Sequence, residues 1–344
     1  MNVPDLTSQP KSNPLSIYRY RDGLYAADLL TAAIVWLDFF TWLGKNPSDK
    51  LAICRHFEIQ ERPADVMLSL FAAMGYLEKQ AGIFSLTETA REHLSEESPW
   101  FLGPYYASLK ERPVCRDFLD VLRTDRPANW GSIKSEKDWV AAMQTPDFAR
   151  NFTAAMDCRG VYLAQALARN LEPGSRKRLL DIAGGSGIYA CSLVAHHPNL
   201  TATVLERPPV DEIARKSIAE RGFADRVKVR AGDMFKEAIP SGFDLHLFSN
   251  VLHDWDVPLV RELLAKSFDA LESGGLLLIH DVHLNDAKTG PLPAAAYSAM
   301  LMHSTPGRCY GRAEMFDFLL ATGFTHPELK ETAADRSVIT ATKA

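Results

Sequence analysis

The sequence predicts an α/β protein in which a parallel sheet, covered on both faces by helices and finished by an antiparallel hairpin, follows a smaller helical domain. Three observations predict it. From Arg178 onward, short apolar runs alternate with helical stretches, the pattern of a covered parallel sheet. The run Leu179-Leu180-Asp181-Ile182-Ala183-Gly184-Gly185-Ser186-Gly187 carries an apolar strand straight into a glycine-rich turn. Further on, Leu245-His246-Leu247-Phe248-Ser249-Asn250-Val251-Leu252 runs into His253-Asp254-Trp255-Asp256. That puts a titratable ring at a strand's carboxyl end, where open α/β sheets carry their ligands.

Residues 1–14 are polar and proline-bearing, lack the layout of a signal peptide, and read as a disordered leader. Leu29, Ala33, Val35, Trp36, Phe39, Phe40 and Leu43 then repeat at helical spacing up to Gly44, and Asn46-Pro47-Ser48 links to a second, capped helix. A third apolar face, Val66, Leu68, Leu70, Phe71 and Met74, starts near Pro63 and stops at Gly75. Two short strands flank Gln80-Ala81-Gly82 as a hairpin. Helix, helix, hairpin is a winged-helix order, and it spans residues 15–98. Such a unit either reads DNA or serves dimerisation and packing. The second reading is preferred, because the stretch 63–74 holds Asp65 and no lysine or arginine to meet phosphates.

Residues 99–175 form a helical connecting segment rich in large apolar side chains, among them Trp100, Phe101, Tyr105, Tyr106, Phe118, Trp130, Trp139, Met143, Phe148, Phe152 and Met156. Most are expected in the core, with some lining a substrate pocket. Residues 176–344 hold the sheet. Strands are expected at Arg178–Ile182, 201–205, Val227–Ala231, 245–249 and 276–280, with a helix over 258–271 capped by Asp256. Segments 327–332 and 337–342 lie too close together for a crossover and predict the terminal hairpin, which makes seven strands.

Composition narrows the function. A chain of 344 residues with 47% apolar and 24% charged residues buries a large core and divides into domains. A net charge of −5 gives no overall attraction to nucleic acid or an anionic membrane, and apolar stretches break before membrane-spanning length. Five scattered cysteines without a Cys-x-x-Cys pair indicate neither a disulfide framework nor a zinc site, and so a cytoplasmic protein.

In the glycine turn, small residues let a ligand approach the backbone, and the helix that follows offers free N–H groups. A tight structural turn is the plainer alternative, and the spacing does not match the dinucleotide fingerprint. Glu206, about twenty residues on at a strand end, can accept from ribose hydroxyls. Gly232-Asp233-Met234-Phe235 supplies an acid for an adenine amino group and two side chains to flank the ring; a loop acid beside core residues fits equally well.

The ordered set Asp181-x-Ala183-Gly184-Gly185-Ser186-Gly187, Glu206, Gly232-Asp233-Met234-Phe235, His253-Asp254-Trp255, Gly274-Gly275 and Pro306-Gly307 resembles the small-molecule O-methyltransferases that use S-adenosylmethionine. These are the plant caffeate and hydroxyindole enzymes and their bacterial relatives, and the resemblance covers nearly the whole chain. It implies a Rossmann-like seven-stranded methyltransferase sheet behind an N-terminal winged-helix dimerisation domain. It further implies a homodimer that methylates a phenolic or enolic hydroxyl of a small aromatic compound of secondary metabolism and releases S-adenosylhomocysteine.

By position, the resemblance assigns Asp181, Gly184, Gly185 and Gly187 to the methionine part of the cofactor, Glu206 to its ribose, and Asp233, Met234 and Phe235 to its adenine. Ser249 and Asn250 stand where relatives carry a basic cofactor contact. His253 matches the general base and Asp281 the acid that orients it. Met156, Met300, Leu301 and Thr305 match acceptor-pocket positions, with His303 close by. Tyr310 stands where relatives place a second orienting acid, and Ala183 replaces the first glycine of the turn.

The chemistry explains these types. Methyl transfer from sulfonium to oxygen needs alignment of donor and acceptor and removal of the hydroxyl proton, and it calls for no metal. A histidine titrating near pH 6.5 can take that proton. Two alternatives stay open: a family member that holds S-adenosylmethionine for hydroxylation, decarboxylation or pericyclic chemistry, and a metabolite-sensing winged-helix regulator.

Overall fold

The computed structural model describes residues 5–128 and 142–344, so Trp130 and Trp139 lie outside the described residues. The described chain forms two compact units, a helical one (16–128 and 283–312) and a sheet unit (5–15, 142–282 and 313–344). Residues 5–14 form turns without helix or strand, and Leu6 is buried.

The helical unit begins with α1 (Leu15–Asp22), α2 (Ala26–Val35) and α3 (Phe39–Lys45). The apolar repeat of residues 29–43 therefore makes two helices rather than one. Asp38 breaks it, in the left-handed region at φ 49°. A two-residue strand β1 (Ser48–Asp49) leads into α4 (Lys50–Phe57), whose N-cap Asp49 accepts from the Ala52 amide at 2.7 Å. Next come α5 (Glu61–Ala73), β2 (Leu77–Gln80) and β3 (Ile83–Leu86), and the three strands form an antiparallel sheet in the order β1-β3-β2. Ala81 and Gly82, both at positive φ, turn the predicted hairpin. Phe39, Phe40 and Phe71 pack with ring centroids 5.2–5.7 Å apart, each ring pair worth about 0.5–1.5 kcal/mol beyond area burial. α5 starts two residues before Pro63 and so includes Arg62, whose guanidinium is spent inside the unit on Asp125 and the carbonyls of Thr305 and Gly307. Helices α6 (Glu88–His93), α7 (Gly103–Ala107) and α8 (Pro113–Thr124) follow.

The segment 99–175 is shared between the units, because α8 packs on α2 whereas its second half packs on the sheet unit's own helices. That half is α9 (Pro146–Asn170), a helix of 25 residues. β4 (Arg178–Ile182), α10 (Ile188–His196), β5 (Thr201–Glu206), α11 (Val210–Glu220), β6 (Val227–Ala231), β7 (Phe243–Ser249), α12 (Val257–Ala270) and β8 (Leu271–Asp281) then alternate. Asp256 caps α12 as expected, accepting from the Leu259 amide at 3.1 Å. α13 (Leu292–Ser304) belongs to the helical unit and packs on α5. α14 (Arg312–Thr322), β9 (Phe324–Glu331) and β10 (Ser337–Lys343) complete the chain.

The large sheet has seven strands in the order β6-β5-β4-β7-β8-β10-β9. The first five are parallel, and β10 runs antiparallel to both β8 and β9. The fold is therefore the predicted α/β sheet closed by a hairpin. From β4 the chain builds outward one way through β5 and β6, then returns to build the other way through β7 and β8, so the order switches beside β4. In open α/β sheets the crossovers diverge at such a switch point, and ligands sit there, outside the strands' carboxyl ends. Leu179, Leu180 and Ile182 of β4 and Leu245, Leu247 and Phe248 of β7 are buried, each worth about 1.5–3 kcal/mol, and they anchor that edge. Among the described residues, no single helix is long and apolar enough to cross a membrane.

Candidate active site

Asp181 ends up fully buried near the end of β4, and the chain then turns through Ala183, Gly185 and Gly187, all at positive φ. Two glycines of the turn meet a close approach. A Cβ on Gly184 would lie 2.6 Å from the Asp181 carboxyl, and one on Gly187 would lie 2.8 Å from Ile218. The Gly185 amide donates to Glu206 Oε2 at 3.0 Å, and the Arg207 amide donates to Oε1 at 2.9 Å. Because β4 pairs in parallel with β5, the turn and Glu206 come side by side.

Burial pushes the Asp181 carboxyl up to about 7 and Glu206 adds to the rise; both its oxygens are buried without a hydrogen bond of ordinary geometry. Burial likewise pushes Glu206 up to about 7, against the two amides that favour its ionised form. An unsatisfied buried carboxylate is costly, and a cation relieves that cost. The Asn250 Oδ1 is also buried and unpaired, while its Nδ2 donates to Tyr189 Oη at 3.0 Å. Two acids and an amide oxygen thus suit a ligand bearing positive charge and hydroxyls.

On the next strand out, the Phe235 amide donates to Asp233 Oδ1 at 3.0 Å, and the Phe235 ring meets Trp255 edge-on at 4.7 Å. Lys266 of α12 donates to the carbonyls of Met234 and Phe235, which holds the loop in place. Asp233, Met234 and Phe235 are each half-buried, as are Ser249 and Asn250. Asn250 lies at φ 53°, and its amide bonds the His280 carbonyl at 2.9 Å.

His253 lies in a short 3-10 turn, Leu252–Asp254, just past β7, and Asp281 closes β8 beside it. His253 Nδ1 donates to Asp281 Oδ1 at 2.5 Å, in the range of a charge-assisted bond, and the same oxygen accepts from the Val282 amide at 2.8 Å. The neutral ring then carries its lone pair on Nε2, which sits 3.6 Å from Asp254 Oδ1. Burial alone depresses the His253 pKa, but Asp281 and Asp254 together outweigh it and hold the ring above its ordinary value. Burial raises Asp254 itself to about 6.

The sheet unit therefore brings together Asp181, Gly184, Gly185, Gly187, Glu206, Asp233, Met234, Phe235, Ser249, Asn250, His253 and Asp281, with Met156 half-buried on α9. Met300, Leu301, His303, Thr305 and Tyr310 are brought together in the helical unit. Met300 is half-buried there, and the other four are buried. Thr305 donates to the Leu301 carbonyl at 3.0 Å and accepts from the Gly307 amide at 3.1 Å. The Tyr310 ring lies under the Arg308 guanidinium at 4.6 Å.

Sequence reasoning passed over several participants. Asp254 stood inside the quoted motif but received no role. Tyr189, Lys266 and Asp157 gave no signal, because their contacts span 61, 31–32 and 29–64 positions respectively.

A seven-stranded sheet with a His–Asp pair beside an acid-lined glycine turn defines a class of cofactor-binding α/β enzymes, and comparison with known proteins narrows it. Residues 116–325 match the family model of the O-methyltransferase domain. A 3-hydroxy-5-methyl-1-naphthoate 3-O-methyltransferase of Streptomyces sahachiroi is 31% identical over 303 residues, 88% of this chain and 86% of that one. An O-methyltransferase family 2 protein of Planctomyces limnophilus, solved in complex with apigenin, is 32% identical with a TM-score of 0.91, and each chain is covered completely. Human N-acetylserotonin methyltransferase, solved with S-adenosylmethionine, shares the fold at 21% identity and a TM-score of 0.61, with 98% of this chain and all of that one covered. The chain belongs to the O-methyltransferase family, whose cofactor is S-adenosylmethionine.

Proposed function

We propose that the protein transfers the methyl group of S-adenosylmethionine to a hydroxyl oxygen of a small aromatic acceptor, phenolic or enolic, with His253 as general base and Asp281 orienting it. The observation that carries this reading is the buried His253–Asp281 pair at 2.5 Å in the same unit as a glycine turn that follows Asp181, whose carboxyl oxygens are buried without a hydrogen bond of ordinary geometry. Naphthoate and apigenin, named for two similar proteins, support an aromatic acceptor.

The buried carboxylates fit the cofactor. Asp181 and the Gly184, Gly185 and Gly187 backbone would receive its cationic methionine part together with Ser249 and Asn250, and Glu206 would take the ribose hydroxyls with lone pairs its two amide donors leave over. Asp233, Met234 and Phe235 would hold the adenine. When bound, S-adenosylmethionine supplies the electrophilic methyl group. His253 Nε2 takes the acceptor's hydroxyl proton, and Asp281 fixes the ring tautomer and stabilises the imidazolium. Asp254, 3.6 Å from Nε2, adds to that stabilisation. Met156, Met300, Leu301, His303, Thr305 and Tyr310 are assigned to the acceptor side.

The N-terminal part, residues 15–98, is read as a winged-helix dimerisation domain. Its helix–helix–hairpin order and the exposed Ile17, Tyr20 and Leu24 support a homodimer. Light scattering that returns a monomer at micromolar concentration would exclude it. For the chemistry, purified protein is incubated with a panel of phenolic metabolites and methyl-labelled donor, and products are weighed by mass spectrometry. A gain of one methyl on oxygen is expected. A product altered without that gain would point instead to the non-methylating chemistry of the family.

A further inference from the structure

The glycine turn has little of its own to hold its shape. Ala183, Gly185 and Gly187 all sit at positive φ, and of the residues 184–187 only Ser186 carries a side chain. That side chain is buried, and its hydroxyl donates to Asp157 Oδ1 of α9 at 2.5 Å, the length of a bond to an ionised carboxylate. The other oxygen of Asp157 accepts from Arg221 Nη2 at 2.6 Å, where α11 ends. One carboxylate therefore ties together α9, the turn and the end of α11. The Arg221 side chain is 10% exposed, so the ion pair is largely shielded from water.

A second, independent observation points the same way. One helical turn after Asp157, α9 presents Gly160, where a Cβ would come within 2.5 Å of Ile188 Cγ2 at the start of α10. The helix is thus pressed against the exit of the glycine turn on the face that carries Asp157. Met156, assigned to the acceptor side, immediately precedes it.

We propose that Asp157 is a positioning residue for the cofactor: by accepting from Ser186 and Arg221 it holds the turn Gly184-Gly185-Ser186-Gly187 in the conformation that receives S-adenosylmethionine. The inference rests on the reading of this turn as the cofactor site. Asp157 touches neither reacting group. Its effect is to remove the ordering cost that a slack turn would impose on binding.

The test measures binding of S-adenosylhomocysteine by calorimetry and steady-state kinetics in the full-length protein. Asp157→Ala and Ser186→Ala are each expected to weaken binding about tenfold and raise the donor KM to match, with kcat at saturating donor within about threefold of wild type. The double variant is expected to be no weaker than Asp157→Ala alone, because that variant has already lost the bond from Ser186. Asp157→Asn, which keeps an oxygen for Ser186, is expected to recover most of the affinity. Glu206→Ala runs alongside. Affinity within twofold of wild type for both Asp157→Ala and Ser186→Ala, together with a loss for Glu206→Ala, would overturn the positioning role and leave the cofactor site standing. Unchanged affinity in all three would overturn the reading of the turn itself.

Discussion

Two buried histidines, each bonded to an aspartate, behave in opposite ways. In the sheet unit, His253 gives Nδ1 to Asp281 at 2.5 Å, has Asp254 3.6 Å from Nε2, and is held above its ordinary pKa. In the helical unit, His303 bonds Asp117 through Nε2 at 3.2 Å, with Tyr25 and Phe118 rings 4.8 and 5.3 Å away, and burial drives its pKa down. Asp117 is a third exposed and Asp281 almost wholly buried, so Asp281's charge is screened less. A His–Asp pair alone therefore does not raise a buried ring's pKa. His303 also feels a second acid, Asp28, so what distinguishes His253 is how close its second acid comes, 3.6 Å from Nε2, and how fully its partner is desolvated, at a strand end in the unit that holds the glycine turn.

The sharpest way to break this comparison is to remove each ring. His253→Ala is expected to lower kcat by about two to four orders of magnitude with cofactor affinity nearly intact. His303→Ala should raise the acceptor KM but keep kcat at saturating acceptor within about threefold, while lowering stability by about 2–4 kcal/mol, read by urea denaturation. Equal losses of kcat would erase the distinction.

Asp281→Asn comes next, with an expected loss of about one to two orders in kcat. Because the two acids raise the His253 pKa, the rate should rise with pH and level off above 6.5, and the Asn variant should level off at lower pH. Stability moves the other way. The contribution of the His253 proton is complete below about pH 6.5 and fades as pH rises through the folded value.

Glu206→Ala is expected to weaken cofactor binding about tenfold or more by calorimetry. The acids also predict proton release. Asp181 and Glu206 titrate near 7 in the folded protein, so without cofactor its stability falls as pH rises from about 4 through 7. A bound cation lowers both values, and S-adenosylmethionine binding at pH 7 should release protons; a binding enthalpy independent of buffer ionisation would contradict this. The smallest effect is expected from Ala183→Gly, which relieves a left-handed alanine at φ 55° and should raise stability by about 0.5–1 kcal/mol.

Much of this was legible from the chain alone. The strand into glycine turn at 179–187, the Asp256 cap and the terminal hairpin followed from neighbouring residues and stand in the structure, whereas the repeat over 29–43 misled. Its spacing read as one helix, and only the left-handed Asp38 showed that the chain breaks there. α5 likewise starts before Pro63 and takes in Arg62, a charge engaged within its own unit.

Periodicity, capping and the order of motifs are properties of residues within a few positions of one another, so the α/β class, the seven strands and the family could be read before any coordinates. Which nitrogen of His253 meets Asp281, how far burial lifts Asp181 and Glu206, and that Asp157 braces the turn were decided by contacts between residues 28, 29 and 64 positions apart and by the exclusion of water around them. Local sequence carries no record of dielectric or of long-range approach, and those two quantities set the chemistry here.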